Sequence, residues 1–199
     1  RIRGYERTAH ANALQGVSTE FISPQKVKKL CPIINIDGPR YPVLGALWQP
    51  RGGTARHDAV AWGYARACSD MGIHIIQQCE VTGINSIDGK AVGVETTKGA
   101  IACKKIGIVV AGHSGVLADM AGFRLPIESV ALQALVSEPI KPCMDVVVMA
   151  NTVHGYMSQS DKGEMVIGGG ADGYNNYSHR GSFHHVEETV RALVETFPI

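Results

Sequence analysis

Apolar and polar positions recur along this chain with different spacings, and each spacing predicts a different element. Val60, Tyr64, Ala67 or Cys68, and Met71 follow one another at three- or four-residue intervals. That period predicts a helix with one apolar face. Asp58 is its expected N-cap, and Gly72 suits the left-handed position after its end. Val186, Val190, Leu193, Val194 and Phe197 predict a last helix over residues 184–197. A short helix is expected between Ser23 as cap, Pro24 in the first turn and Pro32 as breaker.

Elsewhere the apolar positions form short runs, which predict strands. These cover residues 41–48, 73–77, 80–84, 92–96 and 101–103. Asp88-Gly89 lies between two of them, a strong hairpin signal, and Lys98-Gly99 marks a second turn. Residues 106–110 are continuously apolar, as in a strand buried on both faces. From Ile127 onward, runs at 130–136, 145–149, 155–159 and 164–167 are broken by Pro139, Pro142 and Asp161-Lys162-Gly163. That pattern predicts an antiparallel sheet. The middle therefore reads as α/β and the flanks as antiparallel sheet with helices, an α/β (α+β) chain. Two interleaved domains would explain it, with expected boundaries of 1–50, 51–123 and 124–199.

Composition narrows the class. A chain of 199 residues, 45% hydrophobic and 19% charged, has the makeup of a globular protein with one or two domains. A net charge of +1 and the lack of a basic stripe argue against a nucleic-acid partner. No apolar run approaches the roughly 20 residues of a membrane helix, so no membrane partner is expected. No signal peptide is recognised at the start. Cys31, Cys68, Cys79, Cys103 and Cys143 are odd in number and contain no C-x-x-C pair. Reduced, mostly buried thiols and a cytoplasmic setting are the expectation, with no metal site. An arginine at position 1 and an end at Phe197-Pro198-Ile199 suggest a piece of a longer polypeptide.

Two motifs invite a chemical reading. Gly168-Gly-Gly-Ala-Asp-Gly173 satisfies G-x-G-x-x-G, and a strand precedes it. A dinucleotide fingerprint also needs a helix opening within it, and residues 174–181 are turn-like. Its glycines are expected to admit a flat ligand or another strand, or simply to make a tight turn. His57 stands between Gly52-Gly53 and a helix start, with Arg51 and Arg56 close in sequence and Trp48 and Trp62 on either side. A lone histidine there is ordinarily a surface or capping residue, and Trp62 ordinarily core. The alternative is a ligand site: the glycines admit a flat ring, and the arginines offset negative charge. His154, near Tyr156 on an expected strand, can face a ligand. His184-His185 is expected at a solvated helix start.

The run Leu47 to Gly72, the hairpin at Val81 and Ile108-Val-Val-Ala-Gly-His-Ser-Gly115 together resemble the D-amino-acid-oxidase-type flavoprotein family. Arg56-His-Asp-Ala-Val-Ala-Trp62 most resembles the β-subunit branch of its heterotetrameric sarcosine oxidases. Leu132-Gln-Ala-Leu-Val-Ser-Glu-Pro139 and Val166-Ile-Gly-Gly-Gly-Ala-Asp172 extend the similarity.

The resemblance implies interleaved parts of a Rossmann-like flavin domain (51–123) and an antiparallel-sheet substrate domain (1–50 and 124–199). It implies FAD held noncovalently near Val81, Ala111 and Gly112, and FMN joined covalently to His57, with Arg51 and Arg56 supporting flavin charge. His154 and Tyr156 would face the substrate, sarcosine. Electrons would pass from FAD to FMN and on to dioxygen, giving hydrogen peroxide and glycine, with formaldehyde or methylenetetrahydrofolate. Other subunits of the heterotetramer, and tetrahydrofolate, are the implied partners. The family's amino-terminal fingerprint is not found here, so the fragment alone is expected to be inactive. Alternatives are a single-flavin amine or amino-acid dehydrogenase, and a non-catalytic assembly module.

Overall fold

The computed structural model describes residues 2–198. Their contacts divide them into two compact units. One takes in residues up to Thr54, Leu132–Ala171 and residues from His179; the other takes in Ala55–Ala131 and Asp172–Ser178. The chain thus passes between units four times, and the second unit is completed by a seven-residue return segment after Ala171.

The first unit opens with helix α1 (Ile2–Leu14), strand β1 (Glu20–Ile22), helix α2 (Pro24–Leu30) and strand β2 (Ala46–Trp48). The local signals at α2 behave as expected: Ser23 Oγ accepts from the Lys26 amide at 3.3 Å, and Pro24 occupies the first turn. The strand expected over 41–48 shortens to β2, which pairs antiparallel with β1. Neither α1 nor β1 was predicted from the sequence.

Four strands then form an antiparallel sheet in the order β6-β9-β8-β7. They are β6 (Leu132–Pro139), β7 (Val148–Ala150), β8 (Gly155–Gln159) and β9 (Glu164–Ala171). Helix α5 (Phe183–Thr196) follows, with Ser182 Oγ accepting from the His185 amide. Val27, Cys31, Met144, Met157, Leu193 and Phe197 belong to one buried cluster. Burying side chains of this size contributes roughly 1.5–3 kcal/mol each. The buried face of α5 is rotated from the expected one: Thr189, Leu193 and Thr196 are buried, while Val190 and Val194 are exposed. The loop before β2 is tied to this helix. The Asn35 amide donates to Thr196 O at 2.7 Å, and Glu195 accepts from the Arg40 and Tyr41 amides.

The second unit holds helix α3 (His57–Asp70), the three-stranded meander β3 (Val81–Ile87), β4 (Lys90–Thr96) and β5 (Ile101–Ala102), a 3₁₀ turn (Ala111–His113) and helix α4 (Ser114–Met120). The hairpin turn is as its sequence dictates: Asp88 and Gly89 both have positive φ, +48° and +73°. Two consecutive positive φ values match the right-handed twist of the flanking strands.

Other expectations for this unit are corrected. Residues 106–110 form no strand, and Val109 is 92% exposed. Residues 73–77 form none either, and Ile73, Ile75 and Ile76 are exposed. A doubly buried strand needs neighbours on both edges, and the described residues supply none to these runs. The helix α3 is present, yet Val60, Tyr64 and Met71 on its apolar side are exposed, and Trp62 is not core. Arg56, not Asp58, is its N-cap residue. All five cysteines are free; Cys31 alone is buried, and burial pushes its thiol up from its ordinary value. No described helix is long and apolar enough to cross a membrane.

Candidate functional site

In the first unit, the sheet has two different faces. Successive strand residues point to opposite sides. Met157 packs in the core, and a side chain at Gly155 would meet Leu193 of α5 at 3.1 Å, so this face lies against the helix. Tyr156 therefore projects from the other face. Its register partners there are Gly168 on β9 and Met149 on β7, and Gly168 pairs onward with Ala134 on β6. Met149 and Val136 on this side are 71% and 66% exposed. The result is an open, largely apolar sheet face with a phenol at its middle.

The Tyr156 ring lies over Gly168. A Cβ at Gly168 would stand 2.3 Å from the ring carbons Cε1 and Cζ. A Cβ at Gly169 would likewise stand 3.3 Å from Gly155 Cα on the neighbouring strand and 3.0 Å from His154 O in the turn before it. Of the readings open for the glycine motif, close approach of another strand is the one the fold realises for these two residues. No helix opens within it: residues 172–178 are bends and coil. His154 is not on the strand. It lies exposed in the turn before β8 with φ of +52°, a left-handed conformation that histidine tolerates better than a β-branched residue.

Arg51 also belongs to the first unit. It donates to Gly16 O at 3.2 Å and to Ser18 Oγ at 3.1 Å, pinning the connection between α1 and β1. Trp48 is half-buried, with Lys26 Nζ 4.5 Å from the centre of its ring, within cation–π range.

In the second unit, His57 is the first residue of α3 and is exposed. Arg56 precedes it, its Nε 3.9 Å from Asp58 Oδ1. Asp58 Oδ1 accepts from the Ala59 amide at 2.8 Å; that bond, and behind it the Arg56 charge, hold its carboxyl below the usual range. Val81 is half-buried at the start of β3, opposite Thr96.

Ala111 and Gly112 open the 3₁₀ turn. Ala111 has φ of +48°, where a Cβ is disfavoured. Sequence reasoning missed what surrounds this turn: Ser129 Oγ donates to Gly112 O, and Tyr177 stacks on His113 with ring centroids 4.9 Å apart. The tyrosine comes from the return segment, far away in sequence. His185, expected to be solvated, has a side chain only 15% exposed, beside Gly170.

The fold therefore brings Ala111 and Gly112 together, and His57 with Arg56, in one unit. It holds Tyr156, the His154 turn and Arg51 in the other. Open depressions of about 520 Å³ beside β4 and β5 and about 370 Å³ beside the α1–β1 connection hold none of these residues.

Comparison with known proteins gives this arrangement a context. The chain is 73% identical over 198 residues to a sarcosine oxidase subunit beta of Rhodobacter capsulatus, covering all of this chain and 48% of that protein. It is 53% identical to the sarcosine oxidase subunit beta of an Arthrobacter species, covering 49% of it. The chain thus spans about half the length of the curated relatives it matches. Its fold is that of L-proline dehydrogenase from P. horikoshii, with a TM-score of 0.90, 23% identity and coverage of 99% of this chain and 53% of that one. Glycine oxidase from Geobacillus kaustophilus follows, with a TM-score of 0.81, 18% identity and coverage of 96% and 50%. The profile of the FAD dependent oxidoreductases matches residues 2–199, and the chain, from its interleaved units to its glycine-rich strand, belongs to that family.

Proposed function

We propose that the intact protein oxidises sarcosine as the β subunit of a heterotetrameric oxidase. The observation that carries this reading is the 73% identity to the Rhodobacter capsulatus subunit along the whole chain. In the net reaction, sarcosine, dioxygen and water give glycine, formaldehyde and hydrogen peroxide. With tetrahydrofolate as acceptor, methylenetetrahydrofolate replaces the formaldehyde and no water is consumed. Two electrons leave the N-methyl C–N unit and end on dioxygen.

The first unit supplies the substrate face. Tyr156 orients the amino acid from the open face of the sheet, and His154 contributes from the turn beside it. An apolar surface favours the neutral amine, because low polarity penalises charge. The neutral amine is the form able to release hydride.

The second unit supplies the nucleotide side. FAD, when bound, supplies the two-electron acceptor. The residues present fit that group: Gly112 has no atom nearer than 3.9 Å to where a Cβ would stand, so the backbone beside exposed Ala111 is open to a ring or ribose. Val81 contributes an apolar wall. His57 is the attachment point for FMN through an imidazole nitrogen. Its exposure leaves room for a tethered ring, Gly53 has nothing within 4 Å of its Cβ position, and Arg56 supplies positive charge next to it. Arg51 is a weaker contributor, since its guanidinium is engaged with Gly16 and Ser18.

The test uses the intact complex carrying His57→Asn. Wild-type protein should oxidise sarcosine with stoichiometric peroxide and keep one flavin on this polypeptide after acid denaturation. The variant should release all its flavin. Yellow colour retained by the variant would remove His57 as the tether. A wild-type subunit with no added FMN mass would favour the single-flavin dehydrogenase reading, which a 28% identity to human sarcosine dehydrogenase over 146 residues supports.

A further inference from the structure

We infer that Tyr177 is a positioning residue: its ring, stacked on His113, and the return segment that carries it set the backbone of the Ala111–Gly112 turn for nucleotide binding. The inference rests on the reading of that turn as FAD-facing.

The turn needs holding. Ala111 adopts φ of +48°, a region that L side chains avoid, so its conformation persists only where the surroundings impose it. Two bonds are local. The His113 amide donates to Val110 O at 3.0 Å, and Ser114 Oγ donates to Ala111 O at 2.7 Å. A third comes from outside: Ser129 Oγ donates to Gly112 O.

Ser129 is itself held by the return segment. Asn175 Oδ1 accepts from the Ser129 amide at 3.3 Å, and the Asn176 amide donates to Ser129 O at 2.9 Å. The Asp172 amide donates to Ala131 O at 3.0 Å, anchoring the start of the segment. The segment also locks on itself, with Asn176 Nδ2 donating to Asp172 Oδ2 at 2.7 Å and the Ser178 amide donating to Asn176 Oδ1 at 3.0 Å.

Tyr177 completes the brace. Its ring stacks on His113 at an interplanar angle of 28°, in the turn that contains Ala111 and Gly112. Its hydroxyl lies 3.9 Å from where a Cβ on Gly115 would stand, so Tyr177 also abuts the first turn of α4. The segment therefore grips the turn twice, by hydrogen bonds through Ser129 and by a ring on His113. The ring contact is with His113 and not with the Gly112 backbone, so Tyr177 acts on the turn through another residue.

The experiment is an FAD titration of the intact protein stripped of its noncovalent flavin, comparing wild type, Tyr177→Ala, Tyr177→Phe and Ser129→Ala. Tyr177→Ala should bind FAD roughly two- to ten-fold more weakly, the range a stacked aromatic pair sustains. Tyr177→Phe keeps the ring and should stay within about two-fold of wild type. Ser129→Ala should weaken binding in the same direction. Amide hydrogen exchange at Ala111–His113 should accelerate in Tyr177→Ala and not in Tyr177→Phe; should the alanine variant fold poorly, Tyr177→Leu carries the same comparison. Wild-type affinity in Tyr177→Ala, or a lowered melting temperature with unchanged FAD affinity, would overturn the inference. Failure of the wild type to bind FAD would instead overturn the reading of the turn itself.

Discussion

Gly168→Ala tests whether the glycine-rich strand exists to seat the Tyr156 ring. The added methyl carbon would stand 2.3 Å from Cε1 and Cζ of Tyr156 and 2.4 Å from its hydroxyl oxygen. Carbon atoms rest at about 3.5–4.0 Å, so the ring must withdraw by more than about 1 Å. The obstacle is the end of a flexible side chain, not backbone, so the strand pairing survives and the ring swings. Overpacking of this kind costs about 1–3 kcal/mol. In a Tyr156→Ala background the obstacle is gone. The same substitution should then be neutral, or stabilising by up to roughly 1 kcal/mol, because alanine loses less backbone freedom than glycine in a strand. The predicted coupling between the two positions is therefore at least about 1 kcal/mol, well beyond the roughly 0.3–0.5 kcal/mol within which independent sites add. Hydrogen exchange of the β8 and β9 amides in the intact protein, across the four combinations, measures it. Strict additivity would refute the steric reasoning. A second readout bears on the proposed function: in the intact protein carrying Gly168→Ala, the Michaelis constant for sarcosine, the substrate proposed above, should rise while bound flavin stays constant.

Two further perturbations follow from geometry in each unit. Glu195, 14% exposed, accepts from the Arg40 amide at 2.9 Å, the Tyr41 amide at 3.2 Å and Arg40 Nε at 3.1 Å. Its loss in Glu195→Ala removes the acceptor of the half-buried Tyr41 amide and of the exposed Arg40 amide, which water can reach, and should cost about 1 kcal/mol, with Glu195→Gln milder, by urea denaturation; equal stability of all three proteins would show that the loop carries no load. Asp58 has its carboxyl held below the ordinary range by the Ala59 amide, so the folded form binds its proton less tightly than the unfolded chain. The stabilisation is complete above the ordinary carboxylate range and is lost as pH falls through the lowered value; a carboxyl titration by NMR that is unshifted relative to an unfolded peptide would contradict it.

Local chemistry was legible wherever an element closes on itself. The Asp88-Gly89 turn needs only two residues able to take positive φ, and both do. The Ser23 and Pro24 start of α2 and the β8 and β9 runs likewise carry their own signals. Helix α1 escaped notice because its only buried residue is Ala9, which leaves no apolar stripe to read. The His154 turn was mistaken for strand because a left-handed histidine leaves no mark in a hydrophobic pattern.

The larger errors share a different cause. Residues 106–110, residues 73–77 and the apolar side of α3 are patterned for burial, but most of their large apolar side chains stay exposed, with Ile106, Ile108 and Cys68 only half-buried. Periodicity reports which side of an element is apolar; it does not supply the surface that side packs against. The same distinction governs the candidate site. The strand position of Tyr156 was legible because its strand and its partner strand lie within a dozen or so residues. The stack of Tyr177 on His113 was not, because it depends on the chain leaving a strand of one unit to return to the other. What an interleaved fold hides from sequence reasoning is thus the set of contacts made at its crossings. In this chain one of those crossings holds the strained turn at Ala111, so the residues most worth mutating next are ones that no local motif singles out.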